Sequence, residues 1–155
     1  MKFSAQEEYG LRCLVTVARH HNITIPEIGK KEGLSEAHVA KVLMELRRGG
    51  YLESTRGQVG GYRLARKPED IVLGEVLAHL GGRLYDKSFC EKHTGKGETC
   101  GRSAGCSIRT LWSEVQDAVD SVLGNITLAD IVAGEEEEQR IQLAASAPEF
   151  VRGRS

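Results

Sequence analysis

Nothing in this chain stays apolar for more than a few residues in a row. A bilayer core demands about 20 consecutive apolar residues, so no transmembrane helix is expected. Polar Ser4, Gln6, Glu7 and Glu8 follow Met1 and Lys2 closely, leaving no secretory apolar region there, and a soluble cytoplasmic protein is expected. Aromatic residues make up only 5% and prolines number three. The four cysteines are too few and too unevenly spaced for a secreted disulfide scaffold, so metal or redox chemistry is the better expectation. What remains is 155 residues, 40% hydrophobic and 28% charged, enough for one domain or a small domain with an appendage. The net charge of -1 conceals an asymmetry: residues 1–66 carry 11 Lys and Arg against 7 Asp and Glu, and the remainder carries 10 against 15. A basic amino-terminal half is a mild pointer to a polyanionic partner.

The capping pattern Ser4-Ala5-Gln6-Glu7 starts a helix whose apolar stripe is Leu11, Leu14, Val15 and Ala18 and which ends near His20-His21-Asn22. Thr24-Ile25-Pro26-Glu27 starts a second, short helix that stops at Gly33. Ser35 caps a third, with Val39, Val42, Leu43 and Leu46 buried and Gly49-Gly50 at its end. Tyr51-Leu52-Glu53-Ser54 and Tyr62-Arg63-Leu64-Ala65 flank a glycine-rich turn and predict a β-hairpin. Leu73 to Leu80 reads as a further helix. Periodicity then vanishes from Gly81 to Cys106, and Ile108, Leu111, Trp112, Val115, Ala118, Val119 and Val122 restore a helical stripe. Thr127-Leu128-Ala129-Asp130 opens a last short helix, and from Glu135 onward a disordered tail is expected. Domain boundaries follow at 1–80, 81–106, 107–134 and 135–155.

The order helix, short helix, turn, capped helix and hairpin is that of a winged helix-turn-helix. The fold class is therefore mainly α with a small β-hairpin and a long carboxy-terminal helix. In this arrangement the third helix offers Ser35, Glu36, Ala37, His38 and Lys41 to the DNA major groove. Arg56 on the wing can enter a minor groove, and Gly57, Gly60 and Gly61 let backbone N–H groups approach phosphates. A three-helix core that binds protein is the bland alternative. The glycine loop is no nucleotide cradle, since it lacks the Lys-Ser/Thr of a P-loop and lies inside a hairpin. Cys90-x9-Cys100-x5-Cys106 sits in a glycine-rich loop able to wrap three thiolates around one soft-metal centre. Cys106 directly precedes a helix, where the dipole favours a thiolate. His93 is a possible fourth ligand, although a His in a lysine-rich loop is more often merely solvated. Cys13 reads as a small buried hydrophobe. Leu111, Trp112, Val115, Val119 and Val122 form an apolar face wider than the small domain needs, which points to a two-fold dimer.

Together these residues resemble the IscR-like and NsrR-like bacterial transcription regulators, dimeric winged-helix proteins that sense iron–sulfur status, iron, nitric oxide or redox state. The resemblance runs from Met1 to about Ala133. Its most specific pieces are Arg56-Gly57-x-x-Gly60-Gly61-Tyr62-x-Leu64, Ile71-x-Leu73, the three-cysteine loop, and Leu111-Trp112 followed by Ile126-Thr127-Leu128-Ala129-Asp130. It implies that Cys90, Cys100 and Cys106 ligate an iron–sulfur cluster of the 2Fe–2S or 4Fe–4S type. Arg109 occupies the place of the IscR-like fourth ligand, a histidine, and cannot serve. NsrR-like members use a carboxylate near the start of the first helix of the other subunit, a place that corresponds to Glu8. The first cysteine interval is longer than the IscR-like one, and Ala40 stands where IscR-like members can carry a Glu that tunes sequence choice. The expected function is a dimeric, cluster-controlled regulator binding a palindromic operator in double-stranded DNA, with no enzymatic activity. A cluster-free thiol/disulfide sensor on the same fold is the first alternative, and a zinc-dependent or redox enzyme a weaker one.

Overall fold

The computed structural model describes residues 3–57, 60–102 and 105–146. Helix α1 (Ala5–Ala18) begins at a complete capping box. The Glu7 backbone N–H donates to Ser4 Oγ at 3.2 Å, and the Ser4 N–H donates to Glu7 Oε2 at 2.7 Å. Such a cap contributes ~1 kcal/mol. Helix α2 (Ile25–Glu32) repeats the device with Thr24 and Glu27 and ends at Gly33, whose φ of 68° is left-handed. Helix α3 (Glu36–Arg48) starts at Ser35, whose Oγ accepts from the His38 N–H. Strands β1 (Leu52–Thr55) and β2 (Gly61–Leu64) pair antiparallel with Leu52 opposite Leu64 and Thr55 opposite Gly61. Backbone bonds in both directions between Ile23 and Tyr62 tie the chain before α2 to the hairpin.

The core lies where α1, α2, α3 and helix α4 (Leu73–Gly81) converge, around Leu14, Val17, Ile28, Val39, Leu43, Leu46, Leu52 and Val76. The helical residues among them are buried because they share one face of their helix with its other apolar positions, and Leu52 enters the same core from β1. Gly29 makes the α2–α3 turn possible: a Cβ there would sit 2.8 Å from the Leu34 carbonyl oxygen, a backbone atom that cannot swing aside. Gly29→Ala is therefore expected to destabilise the chain by ~1–3 kcal/mol despite the better helix propensity of alanine. Urea denaturation of variant and parent measures this, and equal midpoints would show that the turn yields freely.

Polar contacts hold α1 on α2. Arg12 Nε meets Glu32 Oε2 at 3.0 Å, its Nη2 donates to the Glu32 carbonyl at 2.6 Å, and the Thr16 hydroxyl donates to Glu32. Cys13 lies fully buried beside this network, and burial first, then the Glu32 charge, pushes its thiol up to about 12. It behaves as the small hydrophobe expected of it.

Two expectations are corrected beyond residue 80. The segment 81–106 contains a short helix, α5 (Lys87–Lys92), capped by the Asp86 side chain accepting from the Phe89 N–H. The last helix, α7 (Leu128–Ser146), is long: it passes through Gly134 and the Glu135–Glu138 run rather than ending there. Arg19 at the end of α1 reaches Glu135 at 3.3 Å and Gln139 at 2.9 Å, and Arg140 pairs with Glu137. Glu, Gln, Ala and Leu favour helix, and this docking extends it through a stretch whose charge reads as tail. Residues 147–155 of the expected tail lie outside the described residues. Backbone hydrogen bonds also join the amino-terminal unit to the carboxy-terminal segment. The Leu73 N–H donates to the Ile126 carbonyl, the Leu128 N–H donates to the Ile71 carbonyl, and Leu128 is fully buried in the core.

Candidate nucleic-acid interface and cysteine pocket

The outer face of α3 carries Glu36, Ala37, His38 and Lys41, all exposed, with Ser35 at its start. Their environments differ. Ser35 Oγ is occupied as the helix cap, and the His38 ring meets Tyr9 of α1 edge-on with centroids 5.0 Å apart. Ala37 and Lys41 project without such contacts, and Met44 continues their stripe one turn further. Sequence reasoning passed over Met44 because an apolar residue on this helix reads as core.

The wing projects Arg56 and Gly57 outward, with Gly57 at φ 135°, a region open to glycine. Gly60 is exposed. Gly61 is a correction: it is buried under Asn22, whose Oδ1 would lie 2.5 Å from a Cβ at that position and also accepts from the Thr55 hydroxyl at 2.9 Å. Gly61 is glycine so that the α1–α2 connection can pack on the hairpin. Gln58 and Val59 at the wing tip lie outside the described residues.

Helix α6 (Ser107–Leu123) follows the cysteine segment. Cys90, Cys100 and Cys106 line one cavity of about 250 Å³, together with Glu91, Thr94, Glu98, Thr99, Arg102 and Arg109. All three thiols are free and half-buried. Cys106 caps α6, its sulfur accepting from the Arg109 N–H at 3.4 Å. The Tyr85 hydroxyl lies 3.7 Å from the Cys90 sulfur, and that partner first, desolvation second, pushes the phenol above its ordinary value. His93 does not line the cavity. Its Nδ1 bonds the Phe89 carbonyl at 2.7 Å and its ring stacks on Phe89. Glu8 is exposed on the first turn of α1, and its neighbour Glu7 is committed to the cap and packs where a Cβ on Gly81 would sit. Among the described residues, no three His, Cys, Asp or Glu side chains converge on a single metal ion.

Residues 3–134 match the Rrf2 family, described as iron-dependent transcriptional regulator. The chain belongs to the Rrf2 family. It is 35% identical over 135 residues to protein rrf2 of Nitratidesulfovibrio vulgaris, covering 85% of this chain and 87% of that protein. Among solved structures, IscR of T. potens aligns with a TM-score of 0.71 at 30% identity, covering 90% of this chain and 91% of that one. CymR, the global cysteine regulator of B. subtilis, aligns with a TM-score of 0.68 at 28% identity over 86% and 97% of the two chains. This Rrf2 protein is accordingly a transcription regulator with a winged-helix fold, and DNA is its partner. No helix among its described residues is long and apolar enough to cross a membrane.

The Rrf2 chain leaves the face of α6 largely bare. Ile108, Leu111, Trp112 and Val122 are exposed, and Val115 and Val119 half-buried. The helix touches its own domain at a few points: Leu123 against Gly74, Asp120 in an ion pair with Arg83, and Gln116, only 5% exposed, accepting the Tyr85 N–H at 2.9 Å. The sequence pattern did not point to Tyr85, whose hydroxyl lies beside Cys90, or to Gln116, which holds the Tyr85 backbone. The one signal available was a glutamine interrupting an apolar face between Val115 and Val119.

Proposed function

We propose that this Rrf2 regulator binds a palindromic operator as a homodimer and that an iron–sulfur cluster on Cys90, Cys100 and Cys106 controls the binding. The observation that carries the reading is that three free thiols share one cavity. The donor set fits the group. A cluster distributes its thiolates over several irons, so the sulfurs need line a common space rather than meet at one ion. The Arg109 N–H and the α6 amino terminus favour a thiolate at Cys106. Glu8 of the partner subunit is the fourth ligand in this reading, since Glu7 is held by Ser4 and Arg109 stands at the histidine place. When bound, the cluster supplies an iron centre sensitive to redox state, iron supply or nitric oxide.

The rest is linkage within the chain. A loop anchored to α6 and a carboxylate on the partner's α1 together set the angle between two winged domains. A change in ligation shifts the population able to place both α3 helices one DNA turn apart. The apolar face of α6, with Leu111, Trp112, Val115, Val119 and Val122, forms the dimer seam. Ser35, Glu36, Ala37, His38 and Lys41 face the major groove. Arg56, Gly57 and Gly60 meet the adjacent backbone or minor groove. Arg56→Ala is expected to weaken operator binding by ~1–3 kcal/mol. Titration of labelled operator at matched salt reads the change, and parental affinity would remove Arg56 from the interface.

Anaerobic purification with absorption spectroscopy, iron analysis and acid-labile sulfide tests the cluster directly. Iron with sulfide and charge-transfer colour supports it, while zinc without sulfide overturns it. Cysteine-based control is the second reading, favoured by the likeness to CymR and by thiols free to pair within one cavity. Oxidation that changes operator binding in a chain devoid of sulfide would establish it.

A further inference from the structure

The described residues bring one side-chain donor to a cysteine sulfur: the Tyr85 hydroxyl, 3.7 Å from Cys90 Sγ. Tyr85 is not a loose loop residue. Its backbone N–H donates to Gln116 Oε1 at 2.9 Å, and Gln116 is the one buried residue of α6. Gln116 is itself held, its Nε2 donating to Asp120 Oδ1 at 2.8 Å, and Asp120 pairs with Arg83 two residues before Tyr85. Thus the segment 83–85 is pinned to α6 through Arg83 and through the Tyr85 backbone. The ring then extends to the first thiol of the pocket, and Phe89 tilts against it at 5.8 Å between centroids.

We propose that Tyr85 is a positioning residue for Cys90, holding and hydrogen-bonding its sulfur from a base fixed on α6 by Gln116. A sulfur bound to iron can only accept, so the phenol donates. Its positive hydrogen withdraws electron density from the sulfur and favours the more reduced, more negative state of whatever the thiolate binds. The contact also places the state of Cys90 two hydrogen bonds from the proposed dimer helix. The effect on redox rests on the cluster reading above, whereas the contact itself does not.

Two measurements on the full chain test this. In the metal-free protein labelled with 13C at tyrosine Cζ, Tyr85→Phe identifies the Tyr85 line among the four tyrosines. Cys90→Ala is expected to move that line while Cys100→Ala leaves it in place. A line unmoved by Cys90→Ala overturns the contact. In the anaerobically reconstituted protein, Tyr85→Phe is expected to shift the reduction equilibrium threefold to tenfold toward the oxidised form. At 59 mV per decade for one electron this lowers the midpoint by roughly 30–60 mV. An unchanged midpoint in a loaded variant overturns the tuning role. A parent chain that takes up no sulfide removes the cluster reading alone, and the tyrosine line still decides whether Tyr85 holds Cys90.

Discussion

Trp112→Ala is expected to raise the dissociation constant of the proposed dimer about 30-fold to 1000-fold, equivalent to ~2–4 kcal/mol. Trp112 is the only tryptophan and lies on α6 with 42% of its surface exposed, between exposed Ile108 and Leu111 and half-buried Val115. Removing a fully buried tryptophan costs about 3–5 kcal/mol. More than half of this side chain is already covered within its own subunit, so part of that cost falls on the monomer and a smaller share on the interface. Sedimentation equilibrium over a concentration series separates the two, with thermal melting as the control for the monomer. A variant that melts below the parent yet stays dimeric at the same concentrations would place Trp112 in the intrachain packing of α6 and move the seam elsewhere along it.

Cys106→Ala is expected to abolish cluster loading, whereas Glu8→Ala is expected to leave a loaded but short-lived species. Thiolates are the soft, tight ligands for iron, and an oxygen ligand is held less firmly. Cys106 has a double role, since its sulfur also caps α6 through the Arg109 N–H. Cys106→Ser keeps a capping oxygen and so separates the loss of the ligand from the loss of the cap. Glu8 has no such local role, while Glu7 closes the capping box with Ser4. Glu7→Ala is therefore expected to lower stability by ~1 kcal/mol with the cluster spectrum intact. Anaerobic reconstitution followed by the decay of visible absorbance reads these variants and His93→Ala beside them. Should His93→Ala shorten the lifetime and Glu8→Ala leave it parental, the fourth ligand is His93 and the coupling through the partner's α1 falls. The contact of His93 Nδ1 with the Phe89 carbonyl leaves only Nε2 for that role.

Short-range chemistry made much of the chain legible without coordinates. A Ser or Thr followed three residues later by a Glu specifies a helix start through bonds that span one turn, as at Ser4 and Thr24, and Ser35 caps α3 with its hydroxyl alone. Gly33 and Gly50 mark helix ends because their positive φ is a local property of the residue. The burial of Val39, Val42, Leu43 and Leu46 follows from helical period alone. Three thiols close together in sequence could be brought together by nearby chain, and they line one cavity although Cys90 lies on α5 and Cys106 caps α6.

What the sequence could not settle depends on residues far apart along the chain. The run Glu135–Glu138 reads as tail until Arg19, 116 residues earlier, is found beside Glu135. Gly61 reads as an open wing glycine until Asn22 is found packed on it. His38 reads as a free groove residue until Tyr9 covers one edge of its ring. Gln116 and Tyr85 are ordinary polar and aromatic residues, 31 positions apart, until one backbone hydrogen bond joins them beside Cys90. Capping, turns and periodicity are energies of neighbouring residues and are written locally. Docking of α7, cover of the wing and support of the pocket arise from packing between distant segments, and only the folded arrangement determines which groups meet.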